Sequence, residues 1–289
     1  MNKDYLRIGF FTFADGNSDF RDAAFRLANQ ASDLKMFDNV VYLNDINFRE
    51  IDQSWRDTAE VLDSLKMLPY FYLGTKAWVI KAALEGTFGI FDLIFYADAG
   101  CELPNNCVTK KEFKKLFKLA MQHGGIAEQL NYAEKAYTKK RLIDFFNLTQ
   151  SEMDSGQVQA TWSIWKNNNK SRQIATEWVK LSNPYSDFWN NPDELELGEQ
   201  EPYFIEHRRD QSIFSILWKR SNYFLKAPFW EYGGKLGSIR GRAIPVHAIR
   251  NRSGNTKLPL NSENCILAFI GKFINFIADL SRKLFDKFR

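Results

Sequence analysis

Cysteine is scarce in this 289-residue sequence, and the three present, Cys101, Cys107 and Cys265, cannot build a disulfide framework. Cys101 and Cys107 lie too far apart for a zinc knuckle, and no second pair matches them. Such usage suits a reducing cytosol. Long apolar runs are missing too: none is long enough to span a bilayer, and Met1–Arg7 lacks the apolar core of a signal peptide. The expectation is a protein that is not exported. Neither a GxGxxG fingerprint nor a P-loop occurs, and no internal repeat or low-complexity tract stands out.

Aromatic residues, by contrast, make up 15% of the chain, with 25 Phe, 11 Tyr and 8 Trp. That excess fits a heavily packed core, and equally a site that stacks on bases or sugars. Charge is uneven although the net is only +4. From Arg208 onward 16 Lys and Arg face 5 Asp and Glu, whereas residues 1–207 carry 23 against 30. A basic C-terminal third points to an anionic partner: phosphates, lipid headgroups or nucleic acid.

Alternation of β-type and helical segments organises the first half. Leu6–Phe13 and Asn39–Leu43 read as strands, with a helix from Ser18 or Asp19 to Lys35 between them. Helices over Asp57–Lys66 and Lys76–Leu84 then lead to an apolar run, Leu93–Ala97. This order predicts parallel strands in a Rossmann-like half. Further on, Lys110–Met121 and Lys135–Phe146 read as helices, the lysines of the first forming a solvated face. Gln157–Trp165 reads as a strand, with Trp162 and Trp165 in the core, and Asn167–Lys180 and Asp210–Arg220 read as helices. Pro184–Pro202 is polar and acidic, a surface loop of the type that closes over active sites.

Asp98 stands where the strand Leu93–Ala97 ends, the place where open α/β sheets bind ligands. Gly100 follows it and permits close approach of backbone or ligand. The pattern suits a divalent cation carrying a diphosphate, or a plain capped turn. Residues 231–261 hold five glycines with Arg240, Arg242, Arg250 and Arg252 among them, a loop region dense in hydrogen-bond donors. Asn264–Arg289 is helical in pattern, with Ile266, Ile270, Phe273, Ile274, Ile277, Leu280, Leu284 and Phe288 recurring. Lys272, Arg282, Lys283 and Lys287 take its other faces. It is too charged to span a membrane but suits an anionic membrane surface; docking on the body or dimerisation is the alternative.

Four blocks, FDLIFYADAGCEL (91–103), GQVQATWSIWKN (156–167), EHRRDQSIFSILWK (206–219) and PVHAIRNR (245–252), resemble bacterial GT-A-fold glycosyltransferases of cell-surface polysaccharide synthesis. Asp210-Gln211 is similar to the Asp-Gln pair of the retaining glycosyltransferase family 8. The resemblance implies an α/β fold: a Rossmann-like mixed sheet flanked by helices, here followed by a C-terminal amphipathic helix. It implies a GT-A-like domain over residues 1–260, while the periodicity and charge of the tail set an amphipathic membrane-surface helix over 261–289. Metal ligands would be Asp98, Glu102 and His247, holding Mn²⁺ or Mg²⁺, although Gly100 stands where a DXD motif has its second Asp. Asp210 and Gln211 would be catalytic, with Asp210 the natural general base had the reaction been inverting. Thr12, Asp15, Lys76, Arg250 and Arg252 would bind the nucleotide-sugar donor, and Gln157 and Gln159 the acceptor.

The expected activity is transfer of a sugar, UDP-linked, to lipopolysaccharide, capsule or another lipid-linked glycan. Retention of configuration is slightly favoured, and the expected place is the cytoplasmic face of the inner membrane, with no nucleic-acid partner. The rival expectation is a catalytically inactive GT-A-like protein that binds glycans or scaffolds a membrane pathway, for which the missing second Asp speaks.

Overall fold

A computed structural model describes residues 6–14, 18–64, 74–183, 186–226, 244–257 and 264–287. Its first strand, β1 (Ile8–Ala14), is buried at every position and leads into α1 (Ser18–Leu34) and β2 (Asn39–Asn44). Two short helices follow, α2 (Asp45–Ile51) and α3 (Gln53–Ser64), then α4 (Thr75–Leu84) and the central strand β3 (Leu93–Ala97). After the two-residue β4 (Cys101–Glu102) come α5 (Cys107–His123) and β5 (Gly125–Ala133). A 3₁₀ turn at Glu134–Ala136, α6 (Lys140–Phe146) and α7 (Gln150–Asp154) precede β6 (Gly156–Lys166). The chain continues through α8 (Asn169–Leu181), α9 (Glu194–Glu199), α10 (Asp210–Arg220), β7 (Phe224–Lys226), β8 (His247–Ala248) and α11 (Cys265–Lys287).

Six strands form one mixed sheet in the order β2-β1-β3-β6-β5-β7. β1 pairs in parallel with β2 and β3, as the alternation predicts, while β6 runs antiparallel between β3 and β5. β4 and β8 form a separate antiparallel pair. The apolar strands read as unbroken runs because both faces are covered. Leu93, Phe95 and Ala97 meet Leu27 and Ala31 of α1 and Phe113 and Phe117 of α5. Ile94 and Tyr96, pointing the other way, join α4, α8 and α10. Much of the aromatic excess is core: Trp162, Trp165, Trp178 and Trp218 are fully buried, and Trp165 meets Trp218 edge to face at 4.8 Å.

Two local expectations change. The helix expected over Lys135–Phe146 is broken: the 3₁₀ turn ends at Tyr137, and α6 starts only after Lys139, whose backbone is extended. Within the expected surface loop, Asp193 and Glu196 form a capping box that nucleates α9. α11 is present, capped by the Asn264 carboxamide oxygen, which accepts from the Ile266 and Leu267 amides at 3.0 and 3.1 Å. It leans on α5 through Ala268 against Val108, while Ile266, Phe273 and Phe276 stay exposed. Among the described residues no helix is long and apolar enough to cross a membrane.

Candidate active site

The chemistry-bearing residues gather where β3 ends. Asp98 is the first residue past that strand, its amide held by the Thr161 carbonyl of β6 at 2.8 Å. Asp210 opens α10, where a carboxylate is favoured by the free amides of the first turn. Lys76 lies in the first turn of α4, whose packing on β1 and β3 brings it beneath both acids. Its ammonium is 3.0 Å from each Asp98 carboxylate oxygen and 3.3 Å from Asp210 Oδ2; the Ala160 carbonyl is 3.5 Å away. One lysine therefore joins carboxylates from two elements remote in sequence.

Burial alone would lower the Lys76 pKa, but attraction to Asp98 and Asp210 outweighs it and the net direction is upward. Asp210 is pushed up, first by burial and then by the Asp98 charge, against the opposing pull of Lys76. Tyr96, buried beneath the same cluster, has its pKa raised well above the ordinary value by burial and by Asp98. Asp98 is the open member of the group, with a third of its side chain exposed against 13% for each of the other two.

Gln211 extends the cluster inward. Its amide donates to Gln157 Oε1 at 2.7 Å, and the Ala160 amide donates to its oxygen at 3.4 Å. Gln157 is fully buried and donates in turn to Glu134 Oε1 at 3.1 Å and the Tyr137 carbonyl at 3.3 Å. Gln159, two residues along the same face of β6, donates to buried Glu128. Both glutamines thus point into the protein and brace it. The approach to Asp210 is fixed by His207, whose Nδ1 accepts from the Lys139 amide and whose Nε2 lies 2.8 Å from the Phe188 carbonyl. Burial pushes the His207 pKa down to about 4. Trp178 anchors the helix start by donating to the Asp210 carbonyl at 3.1 Å.

The three residues expected to share a metal are placed differently. Glu102 is fully buried and pairs with Arg26 at 2.8 Å. It also accepts from Asn251, from Thr256 and from the Lys257 amide at 2.5, 2.6 and 2.7 Å. Burial would raise its pKa, yet these hydrogen bonds and Arg26 bring it down. His247 sits opposite Glu102 across the β4–β8 ladder. At Gly100, an added Cβ would fall 2.9 Å from the Arg250 Cα, so the Arg250 backbone occupies the space a second DXD carboxylate needs. Arg250 itself is held at a φ of 54°. Among the described residues no three His, Cys, Asp or Glu side chains converge to hold an ion. The donor set of Asp98, Glu102 and His247 does not fit a divalent cation here, because one member is bridged by Lys76 and another is neutralised by Arg26.

Of the remaining expected residues, Thr12 lies fully buried near the end of β1, its hydroxyl without a hydrogen-bond partner among the described residues. Arg250 and Arg252 are exposed, with the Arg252 guanidinium 5.1 Å from the centre of the Phe20 ring. Asp15, Arg240 and Arg242 lie outside the described residues. Among the described residues, cavities of about 200 and 420 Å³ open beside α6 and beside the irregular pairing of β5; Lys76, Asp98 and Asp210 line neither of these.

Sequence reasoning missed Arg26, which also donates to the Ala99 and Cys101 carbonyls at 2.8 and 3.2 Å. Its signal was an arginine on the apolar side of α1, between Ala23 and Leu27. Tyr96 and His207 were missed as well; an unbroken strand hides the first, and no local pattern marks the second.

No known protein family matches the chain, and no curated protein matches it. Similar solved structures include a glycosyltransferase involved in the glycosylation of the major capsid of PBCV-1, at 10% identity and a TM-score of 0.43, covering 77% of this chain and 82% of that one. Mouse xyloside xylosyltransferase 1, in its apo form, is 11% identical with a TM-score of 0.40 over 77% of this chain and 85% of its own. Core-mannan synthase A from Aspergillus fumigatus, in an Mn/GDP form, is 9% identical with a TM-score of 0.39 over 93% and 86%. At this level of likeness no residue role is carried across.

Proposed function

We propose that this chain is a glycosyltransferase, moving a sugar from a nucleotide diphosphate donor, UDP-linked, to a lipid-linked cell-surface glycan. The observation that carries the reading is the Lys76–Asp98–Asp210 cluster at the carboxyl end of the central parallel strand, the position where α/β sheets take nucleotides.

In this reading the nucleotide lies along the ends of β1 and β3. Arg250 and Arg252 take the diphosphate through their forked guanidinium groups. Asp98, the exposed carboxylate, orients the sugar hydroxyls. Asp210 and Gln211 lie under the anomeric carbon, where a carboxylate and an amide oxygen stabilise developing positive charge and orient the acceptor hydroxyl. Retention is favoured over inversion, since Asp210 is tied to Lys76 and is poorly placed as a freely protonating base. Segment 186–202, with α9, excludes water from the donor.

The acceptor's lipid is suggested by α11, whose exposed Ile and Phe side chains include Phe269, its ring centre 5.0 Å from the Lys111 ammonium of α5, a helix on which Lys114, Lys115 and Lys118 are also exposed. Apolar residues flanked by cations suit an anionic membrane surface and not a nucleic-acid groove. A calorimetric screen of UDP-, GDP- and CMP-sugars on the wild type and Asp98→Asn tests the reading. One donor class should bind with micromolar affinity and lose at least tenfold in the variant. Failure of every donor to bind leaves the scaffold reading in its place.

A further inference from the structure

Resting on the transferase reading, we propose that the Lys76 ammonium is a built-in cation that replaces the divalent ion, so that Asp98 and Asp210 serve donor binding and transfer without metal. Three independent features of the site lead there. The ammonium occupies the point between the two carboxylates, within 3.3 Å of both, where a bridging ion would sit. It donates to Asp98 and to the Ala160 carbonyl and pairs by charge with Asp210, so a metal entering this point must first expel a largely buried, charge-paired side chain.

The second feature is Gly100. The usual way to complete a cation site after Asp98 is a carboxylate two residues on, and here the Arg250 backbone fills that space. The Asn251 amide donates to the Gly100 carbonyl at 3.0 Å and fixes this approach. The glycine is thus explained by packing, and the packing excludes an acid. The third feature is Glu102, whose charge is already met by Arg26 and by three further donors. Moving it towards Asp98 would strand the Arg26 guanidinium, which is only 6% exposed.

One consequence concerns charge. The cluster carries one positive and two negative charges, so the Lys76 ammonium is fully balanced by the carboxylates and has none to spare for a leaving diphosphate. That work falls to Arg250 and Arg252, on the segment that Gly100 admits to the site. Donor affinity is then carried by guanidinium groups and falls as salt is added.

The test separates metal from donor. Mn²⁺ is titrated into the protein alone and followed by the electron paramagnetic resonance of the free ion; UDP is then titrated by calorimetry in EDTA and in millimolar Mn²⁺. The wild type should leave Mn²⁺ free at millimolar concentration, and UDP affinity should change less than twofold between the two buffers. Lys76→Ser, which exposes two adjacent carboxylates, should gain Mn²⁺ binding and melt higher with Mn²⁺ than without it. Stoichiometric Mn²⁺ binding by the wild type that Asp98→Asn abolishes overturns the proposal, as does UDP binding that needs Mn²⁺; both leave the transferase reading standing. No UDP binding in either buffer instead rejects that reading, while the Mn²⁺ titration still decides what holds the carboxylates.

Discussion

Lys76→Met is the perturbation that reads the site most directly, because it removes the shared cation and keeps most of the side-chain volume. At separations of 3.0–3.3 Å, each lysine–carboxylate contact is worth about 5 kcal/mol of Coulomb energy at an effective dielectric of about 20, before desolvation is charged against it. Breaking a buried pair costs about 3–5 kcal/mol, chiefly because the surviving charge is stranded. Asp98 is one-third exposed and partly rescued by water, so the lower figure applies, about 3 kcal/mol. That corresponds to a melting shift of about 5 °C for a chain of this size. The cycle is completed by Lys76→Met with Asp98→Asn and Asp210→Asn, which strands nothing and should regain at least half the loss. Urea unfolding at pH 7.5 and at pH 5 measures both. Asp210, whose folded pKa burial already raises, loses the opposing pull of Lys76 in this variant, so protonating it favours the folded protein and the deficit should shrink as pH falls. A cost below 1 kcal/mol, or no recovery in the neutral triple variant, would refute the claim that one ammonium holds the site together.

His207 supplies a second pH signature. Its folded pKa of about 4 lies below the usual 6.5, so the unfolded chain takes up the proton first and stability is lost as pH falls from about 6.5 to 4. The full window is worth roughly 3 kcal/mol, and urea unfolding at pH 7 and pH 4.5 should show that loss shrinking in His207→Gln. Gly100→Ala should cost about 1–3 kcal/mol in the same assay, because its Cβ meets backbone and not a flexible side-chain end. Gly198→Ala, with nothing within 4 Å of the added carbon, should cost nothing. Phe273→Asp with Phe276→Asp should abolish sedimentation with phosphatidylserine vesicles, whereas Lys114→Glu with Lys118→Glu should weaken it and reduce its salt dependence; unchanged binding in both would remove α11 and α5 from any membrane contact.

The sequence was legible where a segment's own chemistry decides its structure. β3 and α10 match their expected bounds because one is a short, two-sided apolar run and the other opens with an acid that favours a helix start. β5 escaped notice because Gly-Ile-Ala-Glu-Gln-Leu-Asn alternates poorly. Its buried Glu128 accepts a hydrogen bond from Gln159 of the neighbouring strand, and a single segment cannot reveal that pairing. The C-terminal helix was visible from its period, but not which side faces out. Small Ala268 lies against α5 while the large Ile and Phe side chains are left to solvent, the reverse of an ordinary docked helix.

The site divides along the same line. Asp98, Lys76 and Asp210 were each identifiable from position, Asp98 by the strand before it and Asp210 by the helix after it. What no local pattern carries is that one ammonium serves both acids, because that depends on α4, β3 and α10 converging from three parts of the chain. Glu102 makes the point from the other side. Its spacing from Asp98 suggested a ligand, and only the placement of Arg26, 76 residues earlier on a helix that otherwise looks apolar, turns it into a clamp on the turn that follows β3. The same clamp draws residues 251–257 against that turn and sets the Arg250 backbone over Gly100. The absence of a second aspartate, which read in sequence as a defect in a metal motif, is in the folded chain the condition for the Arg250 backbone to pack against the turn after β3, beside the site proposed for the donor.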